Sequence, residues 1–427
     1  LLAPQIINSS ITNLTIDAQN VSSSSYLLST NIQNSYDSIS AGIIAGVMNQ
    51  TSTSSIMQVD GFNLNSSANL VNLYSAGSTE VDFHNLYLGS YFGRIIRSDS
   101  ALDMQLNLQG IDLSSSSSDT NKRLSVSNIS AENAYIGGYI GMNNGLDRLT
   151  LQDDFSTYID IFLDDTSISV TPTFDNLYTG LIFGFAGNTN INSINFAYSS
   201  FDGGLYVVQN GTNNETNRVE ITNLYAGGFA GRLESAMTLS NISQMSYEVV
   251  SITSSTSVDI SSMDTTRDTF ESSEYVSNTL DISGTAKVGI VVGSTSSTFS
   301  MQGTGSDFTV LNRNGQTIRL SGLTSGSAVG SVIGESTSTL ANSITGTSTI
   351  NLTSGIVSNA QIVAIGDSED AEVSVGGIIG QVIHDTTYED SASARVSVGS
   401  LNTAYVGFIG AVYSNIENLN FGGIIGR

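Results

Sequence analysis

One short pattern recurs nine times along the chain, and that recurrence limits what the chain can fold into. A glycine, three mostly apolar or small residues and a second glycine appear as Gly42–Gly46, Gly89–Gly93, Gly137–Gly141, Gly180–Gly184, Gly227–Gly231, Gly289–Gly293, Gly330–Gly334, Gly376–Gly380 and Gly422–Gly426. The first glycines are 47, 48, 43, 47, 62, 41, 46 and 46 residues apart. The central residue of each copy is large and apolar: Ile44, Tyr91, Tyr139, Ile182, Phe229, Val291, Val332, Ile378 and Ile424. Asn-Leu-Tyr precedes the motif at Asn85–Tyr87, Asn176–Tyr178 and Asn223–Tyr225, with Asn133-Ala-Tyr135 as a variant. Strand-like alternation, as in Leu102–Leu108 and Ile191–Phe196, fills the intervals. In a strand of period two, the central residue shares a face with both glycines. Alternatively the chain bends there, or another backbone comes close, since glycine has no Cβ to obstruct either.

Three architectures produce such a repeat. A membrane Gly-x-x-x-Gly helix pair fails, because Asn, Ser, Asp or Arg lies close to every motif. A propeller commonly has about 4–8 blades, which nine repeats without a single Trp fit poorly. A β-solenoid fits best, so the expected class is all-β, a right-handed parallel β-helix over residues 1–427 as one continuous unit. With about two coils of 23–24 residues per repeat, eighteen coils at roughly 4.8 Å each make a rod on the order of 85 Å long. The glycine, central apolar and Tyr/Asn positions then form ladders. The 62-residue interval holds an acidic, Ser-rich stretch, 251–281, that reads as a loop or irregular coil.

Val375-Gly-Gly-Ile-Ile-Gly380, Phe421-Gly-Gly-Ile-Ile-Gly426, Ala226-Gly-Gly-Phe-Ala-Gly231 and Ile136-Gly-Gly-Tyr-Ile-Gly141 resemble the GLUG-type repeat. The resemblance spans nearly the whole chain. It implies a β-helical segment of a large bacterial or protist surface protein, such as an adhesin or the stalk of a surface peptidase.

Composition narrows the function. With 38 acidic and 13 basic residues the formal charge is −25, which excludes a protein that coats nucleic acid and argues against docking on an anionic membrane face. There is no Cys, hence no disulfide and no thiolate site. Ser and Thr total 110 of 427 residues, favouring strands and turns over helices. No apolar run approaches the roughly 20 residues of a membrane helix.

Candidate chemistry is sparse. Asp160 and Asp164 would share one strand face, and Asp367, Glu369 and Asp370 form a tight acidic group. Such oxygens are the ligands calcium uses, but the EF-hand spacing is absent and solubilising charge is the plainer reading. The expectation is no cofactor and no catalytic residue, with calcium as the one ion these groups could take. A polysaccharide-cleaving β-helix would need two facing carboxylates, for which Asp153, Asp154, Asp164 and Asp165 are the candidates. Its usual Gly-His-Gly and Arg-x-Lys elements are missing around His84 and His384. His84 reads as a structural strand residue and His384 as a loop residue. Asn-x-Ser/Thr acceptors occur at Asn8, Asn13, Asn20, Asn49, Asn65, Asn128, Asn210, Asn214, Asn241 and Asn351, about the number chance gives; a secretory route would make the chain a glycoprotein.

The expected function is a non-enzymatic extracellular rod, structural and adhesive, from a cell-surface or filament-forming protein. The second reading is a carbohydrate-binding or polysaccharide-cleaving β-helix. Leu1-Leu-Ala-Pro and Phe421–Arg427 look core-like rather than capped. The expected partner at each end is therefore more of the same chain or an identical subunit stacked end to end. Glycans or cell-surface receptors are the remaining partners.

Overall fold

A computed structural model describes residues 3–427 except 19, 23, 52–56, 67, 78–80, 98–103, 113–121, 152–155, 165–170, 188–193, 210–218, 254–279, 298, 303–307, 311–317, 339–348, 353–355, 359–361, 367–370, 385–394, 399–417 and 423–424. The described elements are strands and turns, with no helix, so no described helix is long and apolar enough to cross a membrane.

The strands form three sheets, here named A, B and C, and every described pairing between strands is parallel. Among the described residues, sheets A and C have nine strands each and sheet B has nineteen. One coil illustrates the path. Tyr36–Ala41 lies in sheet C, the glycine motif turns the chain, and Ala45–Gln50 lies in sheet A. Met57–Ser66 and Asn69–Tyr74 then cross sheet B, and Asp82–Gly89 returns to sheet C one coil on. This is the β-solenoid that the glycine period implies.

The coil is longer than expected. Tyr87 pairs with Tyr135 and Tyr135 with Tyr178; Gly89 pairs with Gly137 and Gly137 with Gly180. Equivalent positions of successive motifs are therefore direct neighbours, and one repeat makes one coil rather than two. Nine coils at about 4.8 Å span roughly 43 Å, half the expected rod length. Period alone does not reveal how many turns of chain a repeat holds. The reason for one turn lies in sheet B, where Ile194–Gln209 and Met237–Thr253 run 16 and 17 residues without a corner.

The core lies between sheet B on one side and sheets A and C on the other. Leu86, Leu88, Phe92 and Ile95 of one coil are each 0% exposed, and so are Phe62 and Leu64 on sheet B. Each such side chain contributes about 1.5–3 kcal/mol by leaving water. The acidic segment 251–281 is described only at its ends: residues 251–253 finish a sheet B strand and Leu280–Asp281 begin the next.

Candidate functional site

The glycine motif is a corner, so the bend and the close approach apply rather than an unbroken strand. Sheet C strands end at the first glycine and sheet A strands resume one residue before the second. The need for glycine is steric. A Cβ on Gly89 would lie 2.1 Å from the Phe92 carbonyl oxygen and 2.5 Å from that of Tyr139. A Cβ on Gly93 would lie 2.6 Å from the Ala41 nitrogen and 2.8 Å from the Tyr87 oxygen. Among the described glycines only Gly322 and Gly326 have positive φ, so conformational freedom is not what selects glycine at the corners.

The corner points into the molecule. Tyr91, at its tip, packs edge-on against Phe62 of sheet B with centroids 4.8 Å apart, and against Tyr139 of the next coil at 5.0 Å. The other described central residues, Ile44, Ile182, Phe229, Val291, Val332 and Ile378, are also buried. Ile424 lies outside the described residues. Corner amides continue the ladder between coils, Tyr91 N–H donating to Tyr139 at 3.0 Å and Val291 N–H to Val332 at 3.0 Å.

With the tip inside, the outer faces of sheets C and A meet across the corner. Tyr87, Tyr135, Tyr178 and Tyr225 stack in one column, with centroids 5.1, 4.9 and 4.7 Å apart and planes within 8°, 6° and 13°. Sheet A places a second column against them. The Arg94 guanidinium carbon lies 5.0 Å from the Tyr87 ring centre and that of Arg232 5.7 Å from the Tyr225 ring centre. The Phe185 ring meets both Tyr135 and Tyr178 edge-on at 5.7 Å. Burial, then the neighbouring rings, raises the Tyr135 and Tyr178 phenols above their ordinary range. Beside the tyrosines runs an asparagine ladder, in which Asn223 Nδ2 donates to Asn176 Oδ1 at 3.2 Å and Asn176 Nδ2 to Asn133 Oδ1 at 3.1 Å. The recurrent Asn-Leu-Tyr thus supplies an outward amide, an inward Leu and an outward ring. Further along, Lys287 takes the tyrosine position and pairs with Glu335 across the corner, both nearly buried.

A second group lies on the outer face of sheet B. Asp160, Phe162 and Asp164 alternate with the inward Ile159, Ile161 and Leu163 of one strand, as the sequence suggests. Asp160 is in register with Arg123 on one side and Gly204 on the other, and Gly204 with Glu248. Phe162, Tyr206 and Val250 form a small apolar cluster of their own. The Tyr206 hydroxyl donates to Glu248 Oε2 at 2.9 Å, and the Arg123 guanidinium carbon lies 4.7 Å from the Phe162 ring centre. Asp160 is 2% exposed and Glu248 3%, so this outward face is covered. Sequence reasoning missed Glu248 and Tyr206, because their neighbours are fixed by strand register and not by local pattern.

Other predicted residues fall apart in space or lie elsewhere. Asp153, Asp154, Asp165, Asp367, Glu369 and Asp370 are outside the described residues, as are Asn210 and Asn214. No group of three or more metal-ligating side chains occurs among the described residues. His84 is on a sheet C strand, half-exposed, with Nδ1 against Glu132 of the next coil. His384 ends a sheet A strand, Ile379–His384, rather than lying in a loop, because the ladder with Ile333–Ser338 carries on to it. Asn8, Asn13 and Asn128 have φ of 48°, 52° and 55°, a backbone reason for asparagine at three of the ten acceptor sites. Asn128 is buried, and its Nδ2 donates to the Ser75 carbonyl at 3.0 Å. Asn20 is exposed and Asn49 partly so; Asn65, Asn241 and Asn351 lie within strands.

No protein-family model, no curated protein and no solved structure matches the chain.

Proposed function

We propose that the chain is a non-enzymatic rod, a structural and adhesive segment of a large extracellular cell-surface or filament-forming protein. The observation that carries this reading is the register. The first glycines of successive repeats pair directly along sheet C, from Gly89 through Gly137 to Gly180 and again from Gly227 through Gly289, Gly330 and Gly376 to Gly422. A solenoid of this kind resists deformation along its axis, because each coil is held by its neighbours through backbone ladders, and it lengthens simply by adding copies. Its outward columns repeat one chemistry at coil spacing, which suits contact with a repetitive partner such as a glycan.

Stacking of identical subunits end to end is part of this proposal. Of the large apolar residues that stand exposed, Ile7 lies on the first strand of sheet A, Tyr36 on the first strand of sheet C and Ile383 on the last strand of sheet A. A coil of an identical subunit would cover all three. Such head-to-tail contacts do not close, and they build fibres.

The second reading, a carbohydrate-cleaving β-helix, rests on Asp160 and Glu248. Two coils separate them, about 9.6 Å between backbones, near the upper limit for an inverting carboxylate pair. Their burial weighs against it. Electron microscopy of the purified chain, with incubation against extracellular polysaccharides, tests both readings. Rods that leave the polymers intact support the first; depolymerisation lost in Asp160→Asn replaces it with the second.

A further inference from the structure

The tyrosine column supports a chemistry that a passive rod does not require. Tyr87, Tyr135, Tyr178 and Tyr225 are consecutive register partners, and the column ends at Ser40 on one side and Lys287 on the other. Its rings are nearly parallel and separated by 5.1, 4.9 and 4.7 Å. Tyr135 and Tyr225 are partly exposed while Tyr87 and Tyr178 are buried, so the column reaches solvent at every second ring. Packing alone would be served as well by phenylalanine; the hydroxyls make these rings one-electron donors.

We propose that this column is a covalent modification site, at which adjacent tyrosines couple to dityrosine within one chain when a one-electron oxidant, such as a haem peroxidase with hydrogen peroxide, reaches it. Each of two phenols loses one electron and its hydroxyl proton. The two phenoxyl radicals join through the ring carbons ortho to oxygen, and the hydrogens on those carbons move as protons to the oxygens, restoring two phenols. Two electrons and two protons leave in all, and one peroxide takes them up to give two waters.

The fold supplies what coupling ordinarily lacks. Two free radicals must first meet; here they are held as neighbours, and that encounter is prepaid. Equivalent side chains on adjacent strands stand about 4.8 Å apart, and the new carbon–carbon bond is about 1.5 Å. The stacked faces let the two radicals approach, and each ring then turns out of the parallel stack about its own side-chain torsions, because the finished bond lies in the plane of both rings.

The test is to oxidise the purified chain at low concentration with peroxidase and hydrogen peroxide, isolate the monomer, and map cross-linked peptides by mass spectrometry. The expected result is dityrosine fluorescence in the monomer and a loss of two hydrogens per cross-link. The bonds should lie between Tyr87 and Tyr135, Tyr135 and Tyr178, or Tyr178 and Tyr225. The Tyr135→Phe/Tyr178→Phe double variant keeps four stacked rings but leaves no two tyrosines adjacent, and should lower monomer fluorescence several-fold. Cross-links only between chains, or only among the other thirteen of the 17 tyrosines, would overturn the proposal. So would undiminished fluorescence in a double variant whose circular dichroism matches the parent. Mapping the unaltered chain decides the matter even if that variant does not fold.

Discussion

Replacing Gly231 by alanine puts the corner to a demanding test, because two general rules give opposite signs. The φ of Gly231 is not in the left-handed region, so alanine can adopt its backbone conformation. Where there is room, such a change stabilises by about 0.4–1 kcal/mol through the unfolded state. Here there is none. The new Cβ would lie 2.4 Å from the Tyr225 oxygen, 2.6 Å from the Thr179 nitrogen and 2.8 Å from the Gly184 oxygen. All three are backbone atoms, in sheet C and in the neighbouring sheet A strand, and none can rotate away. Overpacking costs about 1–3 kcal/mol, and a ladder hydrogen bond lost in the shift adds about 0.5–1.5 kcal/mol. Subtracting the entropic gain leaves a net loss of about 0.5–4 kcal/mol. Urea titration followed by far-ultraviolet circular dichroism reads this as a lower midpoint at constant slope. Gly326→Ala is the contrast: φ is +90° with nothing within 4 Å, so any loss there comes from backbone strain alone. An unchanged or higher midpoint for Gly231→Ala would refute steric selection of the corner glycines.

Truncation of Ile182 or Phe229, both 0% exposed at the corner tip, to alanine should cost about 2–5 kcal/mol in the same titration. Tyr91→Phe should move stability the other way, by on the order of 1 kcal/mol, since the buried Tyr91 hydroxyl has no hydrogen-bond partner among the described residues. Asp147→Ala should cost about 3–5 kcal/mol, because Asp147 pairs with the largely buried Arg97 and accepts the Met104 N–H at 2.7 Å. Alkaline pH should destabilise the fold. Burial raises the Tyr247, Tyr135 and Tyr178 phenols in the folded chain, so above about pH 10 the unfolded chain releases protons that the folded one keeps, and stability falls as pH rises. Thermal melts from pH 8 to pH 11 should show that decline, and Tyr247→Phe should lessen it.

Much of this architecture is legible in the residues. Glycines at a steady interval require a repeated close approach, and the ladder of corners meets that requirement. Asn-Leu-Tyr before the motif announces stacked rings at Tyr87, Tyr178 and Tyr225, and stacked amides that run from Asn133 to Asn223. The number of coils per repeat is not legible, since a period of about 47 residues fits one long turn of chain as well as two short ones. The carboxylate and aromatic group on its outer face is hidden for a related reason. Asp160, Tyr206 and Glu248 are 46 and 42 residues apart, and only parallel register gathers them on neighbouring strands.

The central claim, one repeat per coil, is open to direct measurement because the chain has no native cysteine. Glu132 and Asp175 are exposed and lie between the register pairs Ala131–Phe174 and Asn133–Asn176. Their Cα atoms should be about 4.8 Å apart, within the span a disulfide bridges. The Glu132→Cys/Asp175→Cys variant should therefore oxidise to an intrachain disulfide without loss of structure. A two-coil repeat would separate these positions by roughly 9.6 Å, beyond the limit of about 7 Å, and set residue 132 beside residue 156 instead. Failure of the first pair, with efficient bridging in Glu132→Cys/Ser156→Cys, would contradict the account.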